Sequence, residues 1–247
     1  MRSARGARMP GLPARVAPWG AVLLATALVC SCGPDPARRI GNLYEARRQG
    51  TLTLDMLEQA LQSERLDVRV AAVDLLGSVD DPRARELLRG LVTAPEAALR
   101  ATAATSLGAV GGPEDAPALA PLVDDPETIV RLRAVQALGR LGGHDAAVAL
   151  ARALDDEDVE VRRHAAEGLA RIADPVALEP LLARLDDPDV RVRAWAIRAL
   201  AEIGDERAIE PIRALVDSDD PYERAAALAA LERLEDGAAA PREEGGR

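Results

Sequence analysis

Apolar residues recur along this chain at helical spacing, and the pattern restarts every 31 residues. Each restart is marked by an arginine: Arg69, Arg100, Arg131, Arg162, Arg193 and Arg224. One residue before it stand Val68, Leu99, Val130, Val161 and Val192, with Glu223 as the exception in the sixth copy. Three residues after it comes alanine every time, Ala72 through Ala227. Seven after it comes leucine every time, Leu76 through Leu231. Ten after it stand Val79, Val110, Leu141, Ile172, Ile203 and Leu234. Offsets of −1, 3, 7 and 10 trace one face of an α-helix. The alanine column implies close approach to a second helix, where a larger side chain would overpack.

The other half of each unit predicts a second helix. Its apolar positions include Leu87, Leu88, Leu91 and Val92, then Leu119, Leu122 and Val123, then Leu150 and Leu154. Leu181 and Leu185, and Ile212, Leu215 and Val216, continue the series. Turn residues separate the helices. Asp81-Pro82, Gly112-Pro113 and Asp174-Pro175 place a cap before a proline that tolerates a helix start. Asp124-Asp125, Asp155-Asp156 and Asp186-Asp187 supply caps before the arginine helix. Pro180 and Pro211 fall in first turns, where a missing N–H costs little.

A fixed period of this size predicts a solenoid, in which each unit buries its apolar face only against its neighbours. The unit reads V-R-x-x-A-x-x-A-L-G, a turn, then a helix ending in Leu-x-Asp-Asp-Pro. It resembles the short HEAT-like repeat named after the phycobilisome lyases. The resemblance covers roughly residues 52 to 234. It implies an all-α fold, a right-handed α-solenoid of about six HEAT-like helix pairs. The glycine column of the motif decays, from Gly77, Gly108 and Gly139 to Ala170, Ala201 and Glu232.

The arginine column has a structural reading, an Asp–Arg ladder, and a functional one, direct ligand contact. Acids stand four residues upstream, at Glu96, Glu127, Asp158, Asp189 and Asp220, in the favourable order for an i,i+4 pair. Others stand seven upstream, at Asp124, Asp155, Asp186 and Asp217, within reach of a neighbouring unit's arginine.

Offsets 2, 5 and 9 point away from the buried face, at helical angles of about 200°, 140° and 180°. In the first two repeats they hold Ala71, Asp74, Ser78, Thr102, Thr105 and Ala109. In the middle repeats they hold Arg133, Gln136 and Arg140, then His164, Glu167 and Arg171, then Trp195, Arg198 and Glu202. By the HEAT resemblance this face is concave. Trp and Arg are enriched at binding hot spots, so Arg133, Gln136, Arg140, His164, Glu167, Arg171, Trp195 and Arg198 form the candidate surface for a protein or peptide partner. The alternative is a solvated face with Trp195 folded onto a neighbour.

The N-terminus adds a location. Arg2, Arg5, Arg8 and Arg15 precede an apolar stretch, Ala17 to Val29, that is short for a membrane span. This is a secretory signal pattern. Its end, Val29-Cys30-Ser31-Cys32, resembles the bacterial lipobox, which implies lipid on Cys32. An ordinary signal peptide or an uncleaved anchor is the alternative. The domains expected are a signal peptide over 1–31, a lipidated cysteine, tether and capping helix over 32–51, the repeats over 52–235 and a disordered tail over 236–247. Gly33 after the cysteine implies, by resemblance to enterobacterial sorting, the outer membrane facing the periplasm.

Charge narrows the partners. The net charge is −10, and cleavage before Cys32 would remove four arginines and no acid. A basic footprint for nucleic acid is missing, so no nucleic-acid partner is expected. Cys30 and Cys32 are the only cysteines. No catalytic residue, metal site or cofactor is expected: His144 and His164 lack ligand spacing, and no phosphate loop or Ser/His/Asp signal is visible. The functional expectation is an envelope lipoprotein acting as a HEAT-repeat scaffold, not an enzyme. The alternative is a lyase-like enzyme or subunit that holds a small molecule in the groove.

Overall fold

A computed structural model describes residues 36–239. The signal segment, Cys32 and the last eight residues lie outside the described residues. Among those described the chain is helical throughout, with no strand.

Six helix pairs follow a single leading helix, α1 (Pro36–Gln49). The pairs are α2 (Leu54–Leu61) with α3 (Leu66–Leu76), and α4 (Pro82–Leu91) with α5 (Ala97–Val110). Then come α6 (Ala116–Leu119) with α7 (Thr128–Leu141), and α8 (His144–Ala153) with α9 (Val159–Ile172). The last two are α10 (Leu178–Ala183) with α11 (Val190–Ile203), and α12 (Ile209–Arg213) with α13 (Pro221–Ala239). The second helix of each pair carries the ladder arginine. Two boundaries differ from the sequence expectation. The leading helix starts at Pro36, inside the stretch read as a tether, and α13 runs four residues into the stretch read as a tail.

Helix starts follow the local chemistry. The side chains of Thr53, Asp81, Asp158 and Asp189 accept backbone N–H groups in the first turns of α2, α4, α9 and α11. In the third, fifth and sixth units the first helix is not continuous. Short α segments there are joined to 3-10 turns at Pro113–Asp115, Ala120–Asp124, Pro175–Ala177, Arg184–Asp186 and Glu206–Ala208. Pro117, Pro121, Pro180 and Pro211 each remove a donor from the ladder of backbone bonds, which favours such tightening. Between α7 and α8 the chain turns through Gly142 and Gly143, both at positive φ, where a Cβ would be strained.

The core is a single row of leucine, valine and alanine running the length of the stack. Ala72, Ala103, Ala134, Ala165, Ala196 and Ala227 are fully buried, as are Leu76, Leu107, Leu138, Leu169 and Leu200. The arginine helices pack directly on one another; the first helices of neighbouring units meet largely through the 3-10 turns. Glycine explains the closeness. A Cβ on Gly108 would lie 2.6 Å from Ala137 Cβ, and one on Gly139 would lie 3.1 Å from Gly168 Cα. At the N-terminal end α1 lies across α3, buries Leu43 and Ala46, and ties Tyr44 to Asp74 through a 3.0 Å hydrogen bond.

Candidate functional site: the arginine ladder and the exposed face beside it

The ladder arginines from Arg69 to Arg193 each point at the next unit. Arg100 donates through Nε and Nη2 to Asp125, at 2.7 and 2.8 Å. Arg131 meets Asp156 in the same fork, at 2.7 and 3.1 Å, and Arg162 meets Asp187 at 2.8 and 3.3 Å. This planar two-point geometry suits guanidinium and carboxylate. The free Nη1 turns back to carbonyls of its own unit, those of Ala94 and Pro95 for Arg100 and of Asp125 and Pro126 for Arg131.

The accepting aspartate stands six residues before its own arginine. It therefore does three jobs: its carboxylate takes the previous arginine, its carbonyl takes its own, and its Oδ1 takes the N–H two residues on. That last bond is 3.0 Å for Glu127 to Asp125, 2.8 Å for Asp158 to Asp156 and 2.9 Å for Asp189 to Asp187. The acids expected to pair from four or seven residues upstream are placed otherwise. Asp158, Asp189 and Asp220 cap helix starts instead of pairing i,i+4. A cap oxygen is held by backbone N–H groups at the axis end and cannot also swing along the helix flank. Asp124 and Asp155 face outward to Arg152 and Arg184.

Where the six-upstream position lacks an acid, another residue supplies it. Ala94 occupies that position before Arg100, and Arg69 bonds Glu96 instead, at 2.5 Å. Ser218 occupies it before Arg224, and Arg193 bonds Glu223 at 2.5 and 3.2 Å. Glu223 is buried, and Ser218 Oγ donates to it at 2.5 Å. The Arg193 hydrogen bonds, against the opposing effect of burial, hold its carboxyl below the usual glutamate range. For Asp125 burial pushes upward, but the Arg100 bonds, the Glu127 N–H and the charges of Arg100 and Arg131 outweigh it and leave the pKa lowered.

The exposed face divides into three groups. In the first, Arg133 Nη1 donates to Gln136 Oε1 at 3.1 Å, and Gln136 Nε2 meets His164 Nε2 at 3.1 Å. His164 Nδ1 lies 2.7 Å from the Glu160 carbonyl, so the carbonyl assigns the ring proton to Nδ1 and leaves Nε2 to accept. Arg163 Nη2 lies 3.0 Å from His164 Nε2, and its Nε and Nη2 both donate to Glu160 Oε2; Arg191 of the next helix reaches the other oxygen of Glu160 at 3.1 Å. In the second group Glu167 takes Arg171 at 3.2 Å and Arg163 at 3.4 Å. In the third, Arg198 lies over the Trp195 ring, 4.9 Å from its centre, a cation–π arrangement. Trp195 is half-buried and packs against the core.

Arg133, Arg140 and Arg198 are exposed and meet no carboxylate among the described residues. Arg163, Glu160 and Arg191 are members of the face that offsets 2, 5 and 9 did not reach. One signal was available: Arg163 is the single charge in a column otherwise held by Val70, Ala101, Leu132, Ala194 and Ala225. Beyond Arg198 the face continues into a groove of about 380 Å³ between α11 and α13. Alanines 201, 226, 229 and 230 line it, and the Glu202–Arg233 pair closes one side. His144 sits elsewhere, as the first residue of α8, with Nδ1 2.9 Å from Asp174 Oδ2.

A stack of helix pairs joined in this way is an α-solenoid. The sequence profile for HEAT repeats matches residues 54–139, 120–191 and 146–232. The chain belongs to the HEAT-repeat family. Among solved structures it is similar to the complex of CpcE and CpcF of phycocyanin lyase from Nostoc sp. PCC7120. The identity is 26%, over 72% of this chain and 76% of that one, with a TM-score of 0.55. An engineered protein matches at 24% identity over 73% of this chain and 96% of that one, TM-score 0.55. A designed armadillo repeat protein in complex with the peptide (KR)4 matches at 20% identity over 73% and 99%, TM-score 0.57. No curated protein matches the chain.

Proposed function

We propose that this protein is a lipid-anchored scaffold of the bacterial cell envelope that binds a protein or peptide partner on the exposed face of α7, α9 and α11. One observation carries the reading: Arg133, Arg140 and Arg198 lie on that face without carboxylate partners among the described residues, in a chain of net charge −10. Unmatched cations on an acidic protein select an acidic segment by charge, and Trp195 adds an apolar surface. The similar designed armadillo protein is in complex with the basic peptide (KR)4; the unmatched charges on the face here are cations and call for an acidic segment instead. The envelope location rests on the lipobox resemblance around Cys32.

The test of the face is titration of acidic peptides against the full chain. Trp195→Ala should weaken binding by about 2 kcal/mol or more if the ring is a hot spot. Arg140→Glu should mainly slow association and flatten its salt dependence, as for a rim charge. Unchanged affinity in both variants, with folding intact by circular dichroism, would remove this face from the reading. For the anchor, intact-mass measurement of protein from cells should show acylated Cys32 at the new N-terminus, and Cys32→Ala should abolish the modification.

A second reading has one observation in its favour, the 26% likeness to the phycocyanin lyase complex. It makes the alanine-lined groove between α11 and α13 a small-molecule site. Native mass spectrometry of protein purified from its source decides: a stoichiometric small molecule, lost on Ala229→Trp, supports it.

A further inference from the structure

Along the stack, the residue four after each ladder arginine is apolar and sealed. Val73, Ala104, Val135, Ala166 and Ile197 are each 0% exposed, because the next arginine helix covers them. In the sixth unit the same position is Leu228, and it is 55% exposed. The arginine of this unit is also incomplete. Arg224 bonds the Ser218 carbonyl of its own unit, as the others do, but meets no carboxylate among the described residues. At the opposite end of the stack α1 covers the first unit.

A seventh repeat of the same kind does not fit this end. Eight residues after the arginine stand Gly77, Gly108, Gly139, Ala170 and Ala201, in the column where the helices approach most closely. The sixth unit has Glu232 there, exposed and without a partner among the described residues. Arg224, Leu228 and Glu232 form one i, i+4, i+8 ridge on α13. The ridge is self-complementary. Its centre is apolar, and its two ends, each four residues away, carry opposite charges.

We propose that this end face is covered by the same face of a second copy of the chain, through antiparallel pairing of the two α13 helices about a two-fold axis at Leu228. In that arrangement Arg224 of each chain lies opposite the partner's Glu232, and the two leucines meet at the axis. This is the self-complementary geometry that a two-fold interface requires. The missing carboxylate of the last ladder arginine then comes from another chain, as it comes from the next unit everywhere else. The surface is separate from the peptide-binding face proposed above, so either can fail alone.

Sedimentation equilibrium of the full chain, solubilised in density-matched detergent, tests it. The wild type should show a concentration-dependent dimer. Leu228→Asp and Glu232→Arg should each weaken the dimer at least about tenfold, since each sets like charges together at the axis or beside it. Adding Arg224→Glu to Glu232→Arg swaps the charges and should restore association. Leu228→Cys should give a disulfide linking the two copies of residue 228, identified by digestion and mass spectrometry. Circular dichroism checks that the variants fold, and Leu228 and Glu232 are exposed enough for this to be expected. A wild-type monomer at all concentrations, or a dimer indifferent to Leu228→Asp and Glu232→Arg, would overturn the proposal.

Discussion

The middle of the ladder and its ends solve one geometric problem with different residues. At Arg100, Arg131 and Arg162 the carboxylate is an aspartate six residues ahead of the next arginine. At Arg69 and Arg193 that column holds Ala94 and Ser218, and longer glutamates two and five residues further on reach the same guanidinium. What the stack demands is an acidic oxygen at one place between adjacent helices, not an acid at one sequence position. The carbonyl at the six-upstream position takes the unit's own arginine in both cases, at Ala94 and Ser218 as at the aspartates, so what the Asp solution adds is a single side chain that both caps the turn through Oδ1 and completes the rung. The Glu solution leaves the arginine more open to water: the side chains of Arg69 and Arg193 are 20% and 21% exposed against 8% for Arg131.

That difference predicts unequal losses. Asp187→Ala strands Arg162, whose side chain is 12% exposed and which meets no other carboxylate among the described residues, and should cost about 3–5 kcal/mol, the range for an unpaired buried charge. Glu96→Ala strands a more hydrated arginine and should cost roughly 1 kcal/mol. Denaturant titration of the two variants measures both, and equal losses would erase the distinction between interior and end.

Packing sharpens the same comparison. Leu138→Ala empties a fully buried site in a central unit and should cost ~2–5 kcal/mol. Leu231→Ala, in the last unit with one neighbour fewer and 9% exposure, should cost less. Chemical unfolding followed by circular dichroism gives the two values. A larger loss at Leu231 would contradict nearest-neighbour stability in a stacked array.

A smaller effect is expected from rewriting the last rung. Glu223→Val restores the apolar column but removes the carboxylate from Arg193, at a cost of about 1–3 kcal/mol. Adding Ser218→Asp rebuilds the interior pattern and should recover most of it. Absence of recovery in thermal melts would show that Glu223 does something beyond completing the rung.

Acid should reveal the smallest difference. Glu223 and Asp125 have lowered pKa values in the fold. Their contribution is present above the ordinary carboxylate range and is lost as pH falls through the lowered folded value. Stability should therefore decline below about pH 4, and Glu223→Gln should flatten that decline. An unaltered pH profile in Glu223→Gln would show that this carboxyl is not stabilised by the fold.

Much of the architecture was legible because a helix has a fixed period and each unit repeats it. The leucines and alanines at offsets 7 and 3 are core residues in the structure as in the pattern, and Asp81 and Asp174 cap their turns. The ladder partner was not legible. Acids stand four, six and seven residues before the arginine, and only the side-by-side placement of two units selects the one at six. The exceptional Glu223 looked like a break in an apolar column. Contact with Arg193, 30 residues away, shows what it does.

The exposed face divides in the same way. Its columns at offsets 2, 5 and 9 followed from helical angles, so Arg133, His164 and Trp195 could be placed on one side of successive helices. Which of them remain available to a ligand could not. Glu167 neutralises Arg171, Trp195 carries Arg198, and Arg140 stays unmatched because of side chains that arrive from adjacent turns and helices. The sequence alone determined the period, the helical class and the buried stripe, since these depend on bonds and burial within one unit. The tertiary structure alone decided which charges pair across units, which arginines are left free and that Leu228 meets solvent. The pairings across units depend on distances between residues some 25–31 positions apart, which only the stacking of neighbouring units sets.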